Sequence, residues 1–241
     1  MPHILLISDL HLGPKQPRVT QIFLRFLRDA APGAEALYIL GDLFEYWAGD
    51  DDLEDPFHRK ITSALCELAQ NGTRLSIMRG NRDFLMAEKL AAACSAALLP
   101  DPALIDLYGT QTLLTHGDAL CTDDDAYQAF RRQVRGNVWQ QQFLALPLAQ
   151  RKEQIAQLRT ASESEKQRKA MTLMDVSDDA VAALLREYGY PRLIHGHTNR
   201  PGRALHRLDG HTCERLVLGD WDKSGNALLC EGGECRTVEY D

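Results

Sequence analysis

Asp9, His11, Asp42, Asn81, His116, His195 and His197 are seven candidate metal-binding residues that fall in five short motifs: Asp9-Leu10-His11, Gly41-Asp42, Gly80-Asn81-Arg82-Asp83, His116-Gly117-Asp118 and His195-Gly196-His197. Carboxylate, imidazole and amide oxygen suit manganese, iron or zinc and, less well, magnesium. No cysteine belongs to any motif, which weighs against a structural zinc site. Four histidines, two aspartates and one asparagine are too many for one ion and suit two ions sharing a carboxylate. Such a pair lowers the pKa of a water and holds a phosphoryl oxygen, which is the chemistry of phosphoester hydrolysis. Taken singly, each motif has an ordinary structural explanation: Gly-Asp makes turns, and Asn caps helices or holds bends. All five in one chain point to a single centre.

The elements needed to gather them are legible. Each motif directly follows an apolar run that reads as a strand: ILLIS, ALYIL, LSIM, TLLT and RLI. In open α/β sheets, ligands bind beyond the carboxyl ends of the strands, so the motifs are expected to meet at one sheet edge. Helical spacing covers 18–31, Pro56 opens a helix that Asn71-Gly72 ends, and 84–94 and 177–188 suit two more. Strands are expected at 3–8, 36–40, 74–78, 104–107, 110–115 and 192–194, and short β runs with turn signals fill 203–239. This α/β alternation followed by hairpins predicts a sandwich of two mixed β-sheets flanked by helices. Residues 122–170 differ, being charged, rich in Gln and Arg, and without strand runs. We read 122–175 as a helical cap inserted into a core made of 1–121 and 176–241.

With 241 residues, 44% apolar and 25% charged, the composition is that of a soluble globular protein. No apolar run approaches a membrane span. The apolar stretch Ile4 to Ile7 is too short for a signal peptide, so a cytoplasmic protein is expected. None of the six cysteines forms a Cys-x-x-Cys pair, and reduced thiols are expected throughout. A net charge of −7 gives no footprint for nucleic acid. The stretch 131–170 reverses this locally, with nine basic residues (131, 132, 135, 151, 152, 159, 166, 168, 169) against three glutamates. Alone, it reads equally well as a solvated helical surface.

The order of the motifs resembles that of the calcineurin-like metallophosphoesterase superfamily. The resemblance implies that one metal takes Asp9, His11, Asp42 and His197, and that the second takes Asp42, Asn81, His116 and His195, with Asp42 bridging. Arg82 stands where many members have a histidine that assists the leaving group. An arginine stays charged and grips phosphate but does not give up a proton, so a phosphate leaving from a pyrophosphate fits better than an alkoxide.

Longer strings narrow the match: SDLHL at 8–12, ALYILGDLFEYWAGDD at 36–51, GNRDFL at 80–85, HGDALCTDDDAYQAFR at 116–131, IHGHTNRP at 194–201 and LGDWD at 218–222. Together they are similar to the UDP-2,3-diacylglucosamine hydrolase family of bacterial lipid A synthesis. The resemblance implies two divalent ions, usually Mn2+, and cleavage of the substrate to UMP and 2,3-diacylglucosamine 1-phosphate. It also implies a cap that receives acyl chains, for which Trp139, Phe143, Leu144, Leu146 and Leu148 are candidates, although simple packing onto the core explains any one of them as well. Carried over by position, substrate contacts fall on Asn81, Arg82, Asp124, Ser162, Lys166, Lys169 and His195, with Tyr127 nearby. Lys166 departs from the small polar residue usual there, and Arg79 and Asn199 each replace a usual histidine beside the metals. The basic stretch then meets the diphosphate or an anionic membrane surface, with the protein a monomer peripheral to the inner membrane. Two alternatives keep the motifs: a soluble nucleotide phosphodiesterase, against which the apolar cap argues, and a scaffold without catalysis, against which the complete ligand set argues.

Overall fold

The structure is a computed structural model that describes residues 2–166 and 175–241. Its strands are β1 (Ile4–Ile7), β2 (Ala36–Leu40), β3 (Arg74–Met78), β4 (Ala96–Leu99), β5 (Ala103–Leu107), β6 (Thr110–Thr115), β7 (Arg192–His195), β8 (Gly202–Leu208), β9 (His211–Val217), β10 (Gly225–Glu231) and β11 (Glu234–Tyr240). They form a six-stranded sheet in the order β11-β10-β1-β2-β3-β4 and a five-stranded sheet in the order β5-β6-β7-β9-β8. Both sheets are mixed, as the sequence predicts. β1 to β4 run parallel, whereas β10 pairs antiparallel with β1. β6, β7 and β9 run parallel in the second sheet.

The apolar strands read as continuous runs because both of their faces are covered. Ile4 and Leu6 of β1 face the second sheet and meet Leu114, Ile194 and Leu216. Leu5 and Ile7 face outward, where α1 (Pro17–Arg25), α2 (Pro56–Gln70) and α3 (Glu88–Ala93) supply Ile22, Phe23, Ile61, Leu65 and Leu90. On the far side, α7 (Asp178–Glu187) covers Leu113 and Leu193 with Val181 and Leu185. The result is four layers, helix–sheet–sheet–helix. Helix α2 starts where expected: Pro56 fills its first turn and the Asp55 carboxylate accepts from Phe57 N at 2.9 Å.

Three differences from the sequence reading have physical causes. Strand β4 was not expected, since two alanines and two half-exposed leucines at a sheet edge carry little periodic signal. The helix expected at 84–94 is formed only from Glu88, because Asp50 accepts from Ala87 N and Leu90 N and so fixes its start. The expectation of reduced thiols throughout is overturned at one pair. Cys230 and Cys235 are direct partners across the β10–β11 hairpin and are disulfide-bonded; the other four cysteines are free. A search for Cys-x-x-Cys misses them, because a two-glycine turn brings residues five apart face to face.

The helical segment between β6 and α7 comprises α4 (Asp125–Arg135), α5 (Asn137–Leu144) and α6 (Leu148–Lys166). Five of its basic residues find partners in the core. Arg131 reaches Asp118 at 2.8 Å and Asp101 at 3.7 Å, and Arg135 donates to Gly80 O at 2.9 Å. Arg151 is buried, pairs with Asp51 and donates to Leu146 O and Ala48 O. Lys152 lies 2.6 Å from Asp52 and 3.4 Å from Asp55, and Arg159 pairs with Glu45. The positive charge of these five residues thus complements the acidic run at 50–55 and the metal loops. Lys152 also explains a cluster of Asp52, Asp55 and His58 whose spacing could suit a metal. Its ammonium sits there, and His58 Nδ1 is engaged with Asp52 O at 3.0 Å.

Candidate metal centre

The five motif loops leave the carboxyl ends of β1, β2, β3, β6 and β7 and converge. The first two are laced together beyond their strands: Asp9 N donates to Gly41 O, His11 N to Asp42 O and Leu12 N to Leu43 O, at 2.9–3.1 Å. The buried Asp83 carboxylate ties in the third, accepting from Gly80 N at 2.8 Å and from Asp42 N and Phe44 N at 3.3 Å. The remaining two are joined by Gly196 N donating to His116 O at 3.0 Å.

The seven motif side chains gather at this convergence. Ligand atoms of Asp9, Asp42 and His116 all lie within 4.8 Å of one another. Asp42 Oδ2 is 3.8 Å from His11 Nδ1, and Asp42 Oδ1 is 3.7 Å from His116 Nε2. Asn81 Oδ1 is 3.0 Å from His116 Nε2 and 2.9 Å from His197 Nδ1. The Asp9 carboxylate accepts from Ser8 Oγ and from His197 N. His195 is fully buried; its Nδ1 is engaged with Gly196 O, and its Nε2 has no hydrogen-bond partner among the described residues. Two buried carboxylates and an orphaned imidazole nitrogen are what divalent ions would satisfy. The packing leaves room for little else: a Cβ at Gly41 would lie 2.5 Å from His116 Nδ1, and Gly41 itself has φ +91°. Four of the seven residues also carry left-handed backbone, at φ 56° for Asp9, 49° for His11, 53° for Asp42 and 68° for His197.

Electrostatics agree with this donor set. Burial pushes Asp42 up to about 7, against the pull of His116. Burial opposes charge on His116, but the Asp42, Asp9 and Asp118 carboxylates hold it up at about 9. Burial drives His195 down to about 4, leaving it a neutral imidazole suited to ligation. In the metal-free protein, Asp42 and His116 therefore bind protons more tightly folded than unfolded, where they titrate near ~3.9 and ~6.5. Their contribution to stability is complete below those values and is lost as pH rises through 7 and 9. Divalent metal displaces these protons. Thermal unfolding with and without manganese should thus show a metal-free midpoint falling from pH 6 to 8 and a metal-induced rise that grows over the same range. An increment independent of pH would contradict this.

Above the centre lies a cavity of 570 Å³. Asp9, His11, Asp42, Asn81, Arg82 and His197 line it on the core side; Phe84, Leu85, Trp139, Phe143, Ile155 and Leu158 make an apolar wall. Of the expected apolar lining residues, Trp139 and Phe143 are on this wall, stacked 4.7 Å apart, and Leu144, Leu146 and Leu148 are not. Leu146 packs on the core instead. Of the expected substrate contacts, Asn81, Arg82, Asp124 and Tyr127 line the cavity, while His195 lies buried and off its wall. Asp124 also caps α4, accepting from Tyr127 N at 3.1 Å. Ser162 and Lys166 belong to α6, and Lys169 lies outside the described residues.

Two further acids organise the site. Asp118 is buried and accepts from Tyr127 Oη at 2.7 Å and Arg131 Nε at 2.8 Å, tying α4 to the His116 loop. Burial would raise it, but His116, Arg131, His197 and Arg135 hold it well below the usual carboxylate range. Burial and this carboxylate keep Tyr127 a phenol, with its ring 6.1 Å from that of His197. Glu45, on the β2 loop, meets His11, Arg82 and Arg159. The acid of His-Gly-Asp was a visible signal for Asp118; nothing in the sequence marked Glu45.

Two mixed sheets carrying these candidate ligands at their joined edges define a metallophosphoesterase, and residues 2–201 match the family described as calcineurin-like phosphoesterase. The chain is 53% identical, over 95% of its length and 93% of the relative's, to the UDP-2,3-diacylglucosamine hydrolase of Aromatoleum aromaticum. It is 51% identical to that of Xanthomonas axonopodis, covering 93% of each chain, and 48% identical to that of Pseudomonas paraeruginosa, covering 98% of each. The chain belongs to this family of calcineurin-like phosphoesterases.

Proposed function

We propose that the protein hydrolyses the pyrophosphate bond of UDP-2,3-diacylglucosamine, giving UMP and 2,3-diacylglucosamine 1-phosphate for lipid A synthesis. The observation that carries this reading is the cavity: its floor is the candidate metal centre and its wall is apolar. A more open groove of 700 Å³ continues from it, lined by Phe130, Val134, Trp139 and Leu158 with Gln133, Gln154 and Gln157 among them, and we read its apolar side as the route for acyl chains. In this reading 122–175 is the cap over a core of 1–121 and 176–241.

One ion would be held by Asp9, His11, Asp42 and His197, and the other by Asp42, Asn81, His116 and His195; manganese suits this oxygen and nitrogen set. When bound, the ions supply Lewis acidity and an activated water. The chain's own part is to hold and orient. Asp42 Oδ1 accepts from Arg82 N at 2.8 Å, which fixes the Arg82 backbone beside the centre. Arg82 contacts the diphosphate and stabilises the departing phosphate by charge rather than by proton transfer. Tyr127, held by Asp118, closes one side and displaces water. Asp124, Ser162, Lys166, Lys169 and His195 complete the proposed substrate contacts.

The substrate is a membrane lipid, and we place the protein as a monomer peripheral on the cytoplasmic face of the inner membrane. No described helix is long and apolar enough to cross a membrane, and Phe130, Val138, Leu144 and Leu158 are exposed on the cap helices. The test is UMP release by the manganese-loaded protein from the diacylated sugar nucleotide, beside cyclic nucleotides and dinucleotides. A preference of at least about a hundredfold for the lipid substrate is expected, given its loss of apolar burial otherwise. No UMP from the lipid would refute the reading.

A further inference from the structure

The cavity changes character along its length. Phe84, Trp139, Phe143 and Ile155 of its wall pack with the apolar core outside the six-stranded sheet. On the side of the five-stranded sheet, the β7–β8 connection lines it with Thr198, Asn199 and Arg200 and makes it polar. The metal loops lie between the two, so a substrate cut there has one half at each end. With the acyl half on the apolar wall, the nucleoside half falls to the polar end. Two of the three polar residues there have bonds of their own. Thr198 N donates to Gly196 O at 2.8 Å, and Arg200 Nη1 pairs with Asp175 at 2.5 Å. The Asn199 side-chain oxygen, by contrast, is buried with no hydrogen-bond partner among the described residues. Left-handed backbone, at φ 55°, explains why an asparagine is tolerated here but not why its oxygen lacks a donor. An asparagine amide turns easily about χ2, so a ligand in the cavity can supply that donor.

We propose that Asn199 is a specificity-determining residue for the nucleoside half of the substrate: its amide oxygen accepts from a neutral donor of uridine, either the imide N–H of the base or a ribose hydroxyl. An acceptor that only the ligand satisfies favours a ligand with the donor and rejects an analogue without it, because the oxygen is then left unpaired. No other proposed contact gives this discrimination. Arg82 and the metal centre act on phosphate, and the apolar wall acts on acyl chains. The Asn199 oxygen is bonded to none of the proposed metal ligands, so its effect is read apart from theirs. The inference rests on the sugar-nucleotide substrate proposed above.

The test uses the full-length, manganese-loaded protein, with binding measured by calorimetry for UMP, its 3-methyl and 2′-deoxy analogues, and inorganic phosphate. The wild type should prefer UMP about tenfold over one analogue. Preference over the 3-methyl form assigns the base N–H, and preference over the 2′-deoxy form assigns the ribose. Asn199→Gly suits the left-handed backbone and removes the oxygen. It should bind UMP about tenfold more weakly and lose the preference, while inorganic phosphate binds within about twofold of the wild type. Asn199→Asp keeps an acceptor in place and should keep the preference. Each preference is a ratio within one protein, so the shared phosphate contact cancels. Unchanged UMP affinity and preference in Asn199→Gly overturn the proposal, as does a wild type that ignores both analogues. Phosphate binding that weakens in step with UMP also overturns it, since Asn199 would then act through the metal loop. The two readings fail separately. Loss of the Asn199 effect leaves UMP release by the wild type untouched; absence of UMP release from the lipid with the Asn199 effect intact removes only the lipid substrate.

Discussion

Asp42→Ala should abolish hydrolysis, with a loss of at least about 10⁴-fold in kcat/KM. Its oxygens face His11 at 3.8 Å and His116 at 3.7 Å, and one of them accepts from Arg82 N. Removing it takes a ligand from both proposed ions at once and frees the loop that carries Asn81 and Arg82. Asp42→Asn, which keeps the shape but not the charge, should also bind less metal. Metal content by elemental analysis and UMP release should fall together. A variant keeping two ions, or activity within about tenfold of the wild type, would disprove the shared carboxylate.

Arg151→Ala should be the most destabilising change in the helical segment, at about 3 kcal/mol by urea unfolding. Arg151 is 2% exposed and holds α6 to the β2–α2 connection. Its Nε donates to Leu146 O at 3.0 Å and its Nη1 to Asp51 Oδ1 at 2.9 Å and to Ala48 O. Alanine would orphan buried carbonyls and leave a hole. Arg151→Lys should restore little, because a point charge cannot make the same fork. Since Phe143 and Ile155 sit near this anchor on the cavity wall, KM for the lipid substrate should rise while cleavage of a small soluble phosphodiester changes far less. A variant as stable as the wild type would show that the segment is held elsewhere.

The core was legible because strands buried on both faces appear as unbroken apolar runs, and because each motif with a candidate ligand follows such a run. Ile4 to Ile7 shows this: alternate residues serve two different cores, yet all are apolar. The candidate metal-binding side chains were readable by chemical type. The segment between β6 and α7 was legible as helices but not in its docking, which depends on pairs such as Glu45–Arg159 and Asp51–Arg151 that are 114 and 100 residues apart. Charge in a sequence carries no address, so nothing in 131–170 marked Arg131, Arg135, Arg151, Lys152 and Arg159 as the basic residues that face groups of the core. The Cys230–Cys235 pair was missed for a similar reason: its partner is set by hairpin register, which a fixed spacing motif does not encode.

The left-handed backbone at Asp9, His11, Asp42 and His197 has a consequence for how this protein can change. Such conformations cost roughly 1 kcal/mol or more for residues with a Cβ, least for aspartate. Glycine would relax each position and erase a proposed ligand in the same step. Selection for a sturdier fold and selection for chemistry therefore oppose one another at these four turns, and only continued need for the reaction keeps the strained residues in place. A lineage released from that need should lose them early, ahead of the sheets they crown. An engineer seeking thermostability should leave the joined sheet edges alone and work on the outer helices, where the conflict does not arise.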